Sequence, residues 1–504
     1  MTASADIVIG IDAGSSSVKA VLATADGRVL GHGQVAYTSV RGADGADEQN
    51  PHDWWDGAVR AVRSALSASA LPADRVAAIA VSGQGCAATL IDADGQVVRP
   101  AITSRDSRSQ EQSLQPQRIA GDDIRRVNGK TPAPYNTDPS LMWLVQNEPR
   151  SIERARTSLT TSGYLLFRLS GEPVLSASDA SILFAFDQLR GDWSDDLITR
   201  FGLPRKLYPT VVASTSRVGG LTRDAAGALG LRTGLPVVAG GEDTSSAALA
   251  LGTVLPGQAV VSLGTAGTIN AVVDHFATEP DLLTFAHVVP KRFLIGGSTM
   301  AFGGSLSWLR SAAAEDELSF HDMFSRAASV PMGAGGLMFL PYLAGELQPI
   351  NDGAARGAFV GLTFGTRMGH LVRAVLEGAA MSLAHNLWLL RSRGHEITEL
   401  RAVGGPTRSA LWCQIIADVL GVRLLVGSDV GGAPLGNALL AAQGVGLIED
   451  AAKVALKAAR PVATYEPRTS EHQTYQRLLE VYRGLYPALA PSFHSLSAFS
   501  QGTA

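Results

Sequence analysis

The chain has 504 residues, a formal net charge of −4, 46% apolar and 17% charged residues. That length exceeds one ordinary core and fits two or three domains, and the composition is globular rather than disordered. Without a basic surplus, no electrostatic footprint for nucleic acid or for an acidic membrane is expected. The two cysteines, Cys86 and Cys413, lie far apart, which fits a reducing compartment and offers no cysteine-based metal site. The first six residues carry no basic stretch leading into an apolar one, and no window of about 18–20 uninterrupted apolar residues occurs. Neither a signal peptide nor a membrane-spanning helix is expected, and a cytoplasmic location is.

In chain order, Ile7 to Leu22 reads as a β-hairpin whose polar tip is Asp12-Ala13-Gly14-Ser15-Ser16-Ser17. Such a tip can wrap phosphate oxygens with backbone N–H groups and hydroxyls while the carboxylate holds a divalent cation. Alone, the stretch reads rather as an ordinary Asp/Gly/Ser hairpin, and it lacks the Walker spacing. Arg28–Leu30 and Gln34–Thr38 are strand-like. Asn50-Pro51 opens a helix, with Asn as N-cap and Pro at its first position. Trp55, Val59, Val62 and Leu66 follow at helical spacing, so Trp54 and Trp55 read as packing residues. Val76–Val81 reads as a buried central strand and runs into Ser82-Gly83-Gln84-Gly85-Cys86, at the strand end where ligands of α/β sheets collect. A further hairpin signal, Leu90–Val98, delivers the polar cluster 103–108 with Asp106. Residues 110–235 read as mostly helical, with Trp143 and Trp193 in the core or at helix starts. Pro236–Ala239 is a short strand entering Gly240-Gly241-Glu242-Asp243. The paired glycines allow close backbone approach and present Asp243, and Thr244 or Ser245 reads as the cap of the next helix.

About half the chain later the opening pattern returns. Ala259 to Val273 is an apolar run, the tip Gly264-Thr265-Ala266-Gly267, and a second apolar run. Repetition at that spacing points to a duplicated domain rather than a solenoid, with two hairpins gripping one polyphosphate across a cleft. Phe302 to Trp308, with Gly303 and Ser307, follows. Gly369–Arg393 is the longest amphipathic pattern, stopped by Gly394; Glu377 and His385 within it read as structural. Leu400–Val403 leads through Gly404-Gly405-Pro406-Thr407-Arg408-Ser409 into a helix, a junction whose N–H groups suit an anion. Gly431–Gly436 reads as a turn before a helix from Asn437, and the chain after Ala488 as poorly ordered.

Taken together, these segments resemble the FGGY carbohydrate kinases, and among them the xylulose kinases, over roughly residues 6–485. The matching stretches are the tip 12–17, Glu48 to Trp55, Ala239 to Asp243, Ser262 to Gly267, Gly357 to Leu362 with His370 to Glu377, and Gly404-Gly405 with Arg408-Ser409. The resemblance implies an α/β fold of two duplicated RNase H-like domains (the actin/sugar kinase/Hsp70 type) with an interdomain cleft. Domains are set at 1–247 (sugar and catalytic Asp), 248–488 (nucleotide) and a tail, 489–504. It implies ATP-dependent phosphorylation of a small sugar, with ATP and Mg²⁺ as cofactors. Asp243 becomes the catalytic base, and Asp12 with Asp243 the metal carboxylates. Gln84, Gly85, Asp106, Tyr135 and Asp243 become the sugar site. Ser15, Ser16, Lys19, Gly264, Thr265, Gly303, Ser307, Gly404, Gly405 and Ser409 become the ATP site.

Five positions depart from the family pattern. Gly85-Cys86 stands where xylulose kinases have Met-His, Ser104 where they have Trp, Ser140 where a Lys is expected, and Pro406 where many have Gly. The changes at Gly85-Cys86 and at Ser104 remove bulk and leave room for substrates other than D-xylulose: L-xylulose, ribulose, an alditol such as erythritol or glycerol, or gluconate. A silent sugar or nucleotide sensor and an actin/Hsp70-like ATPase are the competing classes. Neither nucleic acid nor membrane is an expected partner, and a homodimer stays open.

Overall fold

Ile7–Ala13 (β1) is buried at every position, which an apolar run with only one carboxylate demands of a central strand. The computed structural model describes residues 6–133, 136–314, 318–428 and 431–500. It forms two units. The first comprises Met1–Val254, Asp274–Leu294 and Val430–Arg460; the second comprises Leu255–Val273, Ile295–Asp429 and Pro461–Ala504.

In the first unit, β1 is joined by Ser17–Thr24 (β2), Val29–Ala36 (β3), Val76–Gly83 (β4), Arg217–Gly220 (β5) and Pro236–Glu242 (β6), in the spatial order β5-β6-β4-β1-β2-β3. β1, β2 and β3 are successive antiparallel neighbours, whereas β4 runs parallel to β1 and β6 parallel to β4. β5 closes that side antiparallel to β6.

The second unit repeats the plan with Gln258–Leu263 (β7), Gly267–Val273 (β8), Phe293–Thr299 (β9), Glu399–Val403 (β10), Arg423–Val426 (β11) and Ala463–Tyr465 (β12), neighbours in the order β9-β8-β7-β10-β11-β12. Here β7 and β8 form the antiparallel hairpin, β10 and β11 add in parallel, and β12 is an antiparallel edge. The duplication expected from the two glycine/hydroxyl tips is thus visible in the order and sense of the central strands; at the edge the units differ, since β5 precedes β6 in the chain whereas β12 follows β11.

Helices cover these sheets where the pattern places them. Asn50 caps Pro51–Ser69 by accepting from His52 N at 3.1 Å, with Pro51 at the first position. Trp54 is fully buried and Trp55 nearly so. The long helix Met368–Ser392 ends before Gly394, whose φ of 86° suits glycine.

Other expectations change. Residues 110–235 hold strands as well as helices: Ala155–Leu159 pairs with Thr89–Asp92, and β5 is an edge strand. Both are four- or five-residue segments, and β5 is partly exposed glycine-rich chain, so neither carries a strong period-2 signal. The helix after β6 is capped by Glu242, which accepts from Ser245 N at 2.9 Å, and not by Thr244 or Ser245. The helix expected from Asn437 spans Gly432–Gly444. From Ala488 to Ser500 the chain is helical: Thr469–Ser500 is one helix despite Pro487 and Pro491. It is held by Tyr486 Oη on Asp352 (2.7 Å), His494 on Asp352 (2.9 Å) and Arg356 on Ser497 Oγ (2.7 Å).

The domain limits differ too. Helix Gly432–Gly444 belongs to the first unit, because two glycines let it lie directly on that sheet. A β-carbon on Gly10 would fall 1.8 Å from Pro434 O, and one on Gly436 would fall 1.9 Å from Ser246 O. Asn437 completes the join, donating to Ile11 O (2.9 Å) and facing Ser246 Oγ (3.1 Å). Replacing Gly436 by Ala gains at most about 1 kcal/mol of helix propensity. Against that stands a rigid backbone clash of about 1–3 kcal/mol. Gly436→Ala is therefore expected to lower the denaturant midpoint of the folded protein, and an unchanged or higher midpoint contradicts this packing.

Candidate active site

Three neighbouring parallel strands of the first sheet end level with one another. Asp12 on β1 is in register with Ser82 on β4, which is in register with Gly241 on β6. Their carboxyl ends therefore bring Asp12, Ser82, Gln84, Glu242 and Asp243 to one edge of the sheet, where ligands of α/β folds sit. Asp12 is 7% exposed and accepts from Ser82 Oγ at 2.8 Å. Burial, with Asp243 adding like charge, pushes its carboxyl up to about 6. Asp243 is the first residue of its helix, half-buried, with Thr244 Oγ1 donating to its Oδ1 at 3.0 Å. Burial and then the Glu242 carboxylate hold it well above the ordinary carboxylate range. Glu242 is raised by burial as well, and buried Asp179 nearby is pushed up by burial to about 7. This is a pocket of desolvated acids, each in a more basic state than in water.

The first hairpin tip faces outward beside them. Ser15 and Ser16 are exposed. Each tip carbonyl is tied from behind: Gly14 O by Tyr37 Oη, Ser15 O by Gln49 Nε2 (3.0 Å), Ser16 O by Tyr37 N (3.0 Å) and Ser17 O by Gly14 N (3.1 Å). With its acceptors occupied, the tip offers donors, the arrangement an anion needs. Lys19 lies opposite Asp12 in the β1/β2 register, exposed, and its charge acts on Asp12.

Gln84 is buried and donates to Gln49 Oε1 at 2.6 Å, and Trp54 Nε1 donates to the same oxygen at 2.9 Å. Asp106 is also buried, but its carboxylate is already engaged by Asp47 N (3.0 Å) and by Arg108 (2.6 Å to Nη2). Arg108 in turn lies 4.5 Å over the Trp143 ring and binds Glu48 at 2.6 Å. Gly85 differs from expectation. The space expected to be vacant there is filled: a β-carbon on Gly85 would lie 2.2 Å from Ile182 Cδ1. Tyr135 lies outside the described residues.

In the second unit the tip Gly264-Thr265-Ala266 is exposed, and its carbonyls are occupied in the same way. Gly303 N donates to Gly264 O (2.9 Å), Phe302 N and Gly304 N donate to Thr265 O (2.7 and 3.1 Å), and Gly264 N donates to Ala266 O (2.9 Å). The tip thus rests on the start of helix Gly303–Ala314, with Ser307 exposed one turn on. A β-carbon on Gly404 would fall 1.8 Å from Leu263 O, whereas one on Gly405 would meet nothing within 4 Å. Ser409 caps helix Ala410–Leu420 by accepting from Trp412 N at 3.3 Å, so its hydroxyl has a structural task.

Models of the FGGY family of carbohydrate kinases match both halves: the N-terminal domain over residues 7–250 and the C-terminal domain over residues 259–445. The chain belongs to the FGGY carbohydrate kinases. It is 32% identical to the xylulose kinase of Escherichia coli K12, covering 96% of this chain and 99% of that one. To the xylulose kinase of Bacillus subtilis 168 it is 30% identical, covering 95% and 96%. The crystal structure of the xylulose kinase from Rhodospirillum rubrum superposes with a TM-score of 0.89 at 30% identity, covering 97% of this chain and all of that one. Carbohydrate kinases of this family use ATP to phosphorylate sugars. No helix among the described residues of this FGGY kinase is long and apolar enough to cross a membrane.

Several residues that support the first tip and Asp12 were not singled out in the sequence. Gln49, Tyr37 and Ser82 act by holding tip carbonyls or Asp12, and only their partners in space reveal it. Neither was Ile182, from the stretch read as helical.

Because Asp12 sits at about 6 in the folded state against an ordinary 3.8, the folded protein binds this proton more readily than the unfolded chain does. The stability it contributes is complete below pH 3.8 and is lost as pH rises through 6. Asp12→Asn is therefore expected to melt higher than the parent at pH 7–8, by up to about 3 kcal/mol, and to show little difference near pH 4. Equal melting curves at both pH values contradict a desolvated Asp12.

Proposed function

We propose that this FGGY kinase phosphorylates a ketopentose, with D-xylulose giving xylulose 5-phosphate as the preferred reaction, and that it works in the cytoplasm. The observation that carries the reading is the level ending of three parallel strands, which gathers Asp12, Gln84 and Asp243 at one sheet edge. The ketopentose is supported by the xylulose kinases, 30–32% identical over nearly the whole chain.

Asp243 is the base. Its raised basicity suits it to take the proton of a sugar hydroxyl. The freed oxygen forms a bond to the γ-phosphorus of ATP as the bond to the β-phosphate oxygen breaks, and ADP leaves. The protein's part is positioning and charge compensation. Ser15, Ser16, Lys19 and Thr265 serve the phosphates through donors, and Gly264, whose N–H is spent on Ala266 O, by leaving room for close approach. Gly303, Ser307, Gly404, Gly405 and Ser409 serve the nucleoside side. Gln84 serves a sugar hydroxyl, and Asp106 acts by orienting Arg108 and the 47–49 strand.

Asp12 and Asp243 would hold Mg²⁺. They fit it: burial and then the like charge of Asp243 raise Asp12, and that like charge is what a divalent cation relieves. No group of three or more His, Cys, Asp or Glu placed to hold a metal occurs among the described residues. A two-carboxylate set suits an ion that keeps much of its water and takes phosphate oxygens. When bound, the cation neutralises charge on the transferring phosphoryl group.

The test is ADP release with a panel of D-xylulose, L-xylulose, ribulose, erythritol, glycerol and gluconate, run on the parent and on Asp243→Ala. Sugar-dependent turnover, highest with D-xylulose, is expected. A different best substrate replaces the ketopentose. Binding without turnover indicates a sensor, and sugar-independent hydrolysis an ATPase. Asp243→Ala is expected to lose about 10²–10⁴ in kcat while calorimetric sugar binding persists; near-parental turnover would refute its role as base.

A further inference from the structure

Gly85 has no backbone reason to be glycine, since its φ is not among the left-handed values in this chain. What a side chain there would have to displace is the end of Ile182. An ideal β-carbon there would lie 2.2 Å from Ile182 Cδ1 and 3.8 Å from Glu242 Cγ, so the side chain of Ile182 ends beside the residue that precedes Asp243. Ile182 is 9% exposed.

The backbone on both sides of Ile182 is clamped. Ser181 O accepts from Lys130 Nζ (2.5 Å) and Asn128 Nδ2 (3.1 Å). Ile182 O itself accepts from Asn136 Nδ2 (3.3 Å). Leu183 O accepts from Asn128 Nδ2 (2.8 Å), and Phe184 N donates to Asp138 Oδ2 (2.8 Å). Lys130, Asn128 and Asp138 are all 5% exposed or less. A β-branched side chain on such a segment has little freedom at χ1, so its β-branch is held in place and its δ-carbon moves only about χ2.

We propose that Ile182 is a specificity-determining residue, an apolar wall of the sugar site that takes the place of a side chain at position 85 and limits how much substrate fits beside Glu242–Asp243. The proposal rests on the sugar-kinase reading of the same site. An apolar wall offers no partner to a substrate hydroxyl turned toward it, and burying an unpaired hydroxyl is unfavourable. The wall therefore excludes a longer polyol chain and a polar substituent on that side. It also makes positions 85 and 182 interdependent, since bulk at one needs its removal at the other.

The experiment compares kcat/KM for D-xylulose, the ketohexose D-fructose and gluconate among the parent, Ile182→Val, Ile182→Ala, Gly85→Ser and Gly85→Ser/Ile182→Ala. Ile182→Val removes the δ-carbon alone and keeps the β-branch, so it tests the wall even where the alanine variant folds poorly; circular dichroism melting checks both. Ile182→Val and Ile182→Ala are expected to move the six-carbon to five-carbon ratio of kcat/KM upward by roughly tenfold or more. Gly85→Ser is expected to lower kcat/KM for every substrate, and adding Ile182→Ala to recover it. Ratios within about twofold of the parent in folded Ile182 variants, or strictly additive effects at 85 and 182, overturn the wall. A parent that turns over no polyol overturns the kinase reading instead, a result distinguishable because it does not depend on any variant.

Discussion

The constraint behind the rest of this structure is the burial of like charges at the ends of adjacent parallel strands. A parallel sheet brings the carboxyl ends of β4, β1 and β6 to the same edge, and here that edge carries Asp12, Glu242 and Asp243. Removing carboxylates from water and placing them near one another raises the cost of ionising each. Asp12 and Asp243 both respond in that direction. Such an arrangement is poor for stability, and proteins retain it where the charges have work to do. Ser82 Oγ, the Glu242 cap and Thr244 Oγ1 supply just enough hydrogen bonding to hold the acids in place.

A second device is repeated in each unit. Both glycine/hydroxyl tips have their carbonyl oxygens occupied by N–H or O–H groups of the surrounding structure. A hairpin tip left to itself presents donors and acceptors together. Tying off the acceptors makes it selectively hospitable to an anion, without any lysine in the tip. The groups that do this differ between the units. Tyr37 and Gln49 serve the first tip, and the start of helix Gly303–Ala314 serves the second. The same electrostatic result is reached on the two copies with different supporting residues, which is consistent with phosphate handling as the shared task proposed for both tips.

Much of the plan was legible from residues alone. The recurrence of an apolar run, a Gly/hydroxyl tip and a second apolar run announced a duplication, and the two sheets share the order and sense of their central strands, a hairpin with two parallel strands beside its first strand. Asn50-Pro51 announced a helix start because capping is a local interaction, satisfied within three residues. Asp12 and Asp243 took their expected roles from the resemblance to the family, since alone the first stretch reads as an ordinary hairpin and the second carboxylate as a helix start. The edge strand Arg217–Gly220 and the helical end of Thr469–Ser500 were not legible. The first is four residues with weak alternation, and the second contains two prolines whose local preference is overridden by contacts with Asp352 and Arg356.

The sequence by itself determined the class of fold, the family, the two tips and the acids that the proposed chemistry uses. Each of these rests on neighbours in the chain or on a pattern repeated along it. Only the tertiary structure decided what surrounds those acids. The helix Gly432–Gly444 belongs to the first unit because Gly10 lets β1 meet the backbone at Pro434, more than four hundred positions away, and Gly436 lets the helix meet the backbone at Ser246. The room expected at Gly85 is filled by Ile182 Cδ1, brought from a segment about a hundred residues away. Volume and desolvation are properties of space, and no spacing of residues along a chain encodes which distant side chain will occupy a given gap.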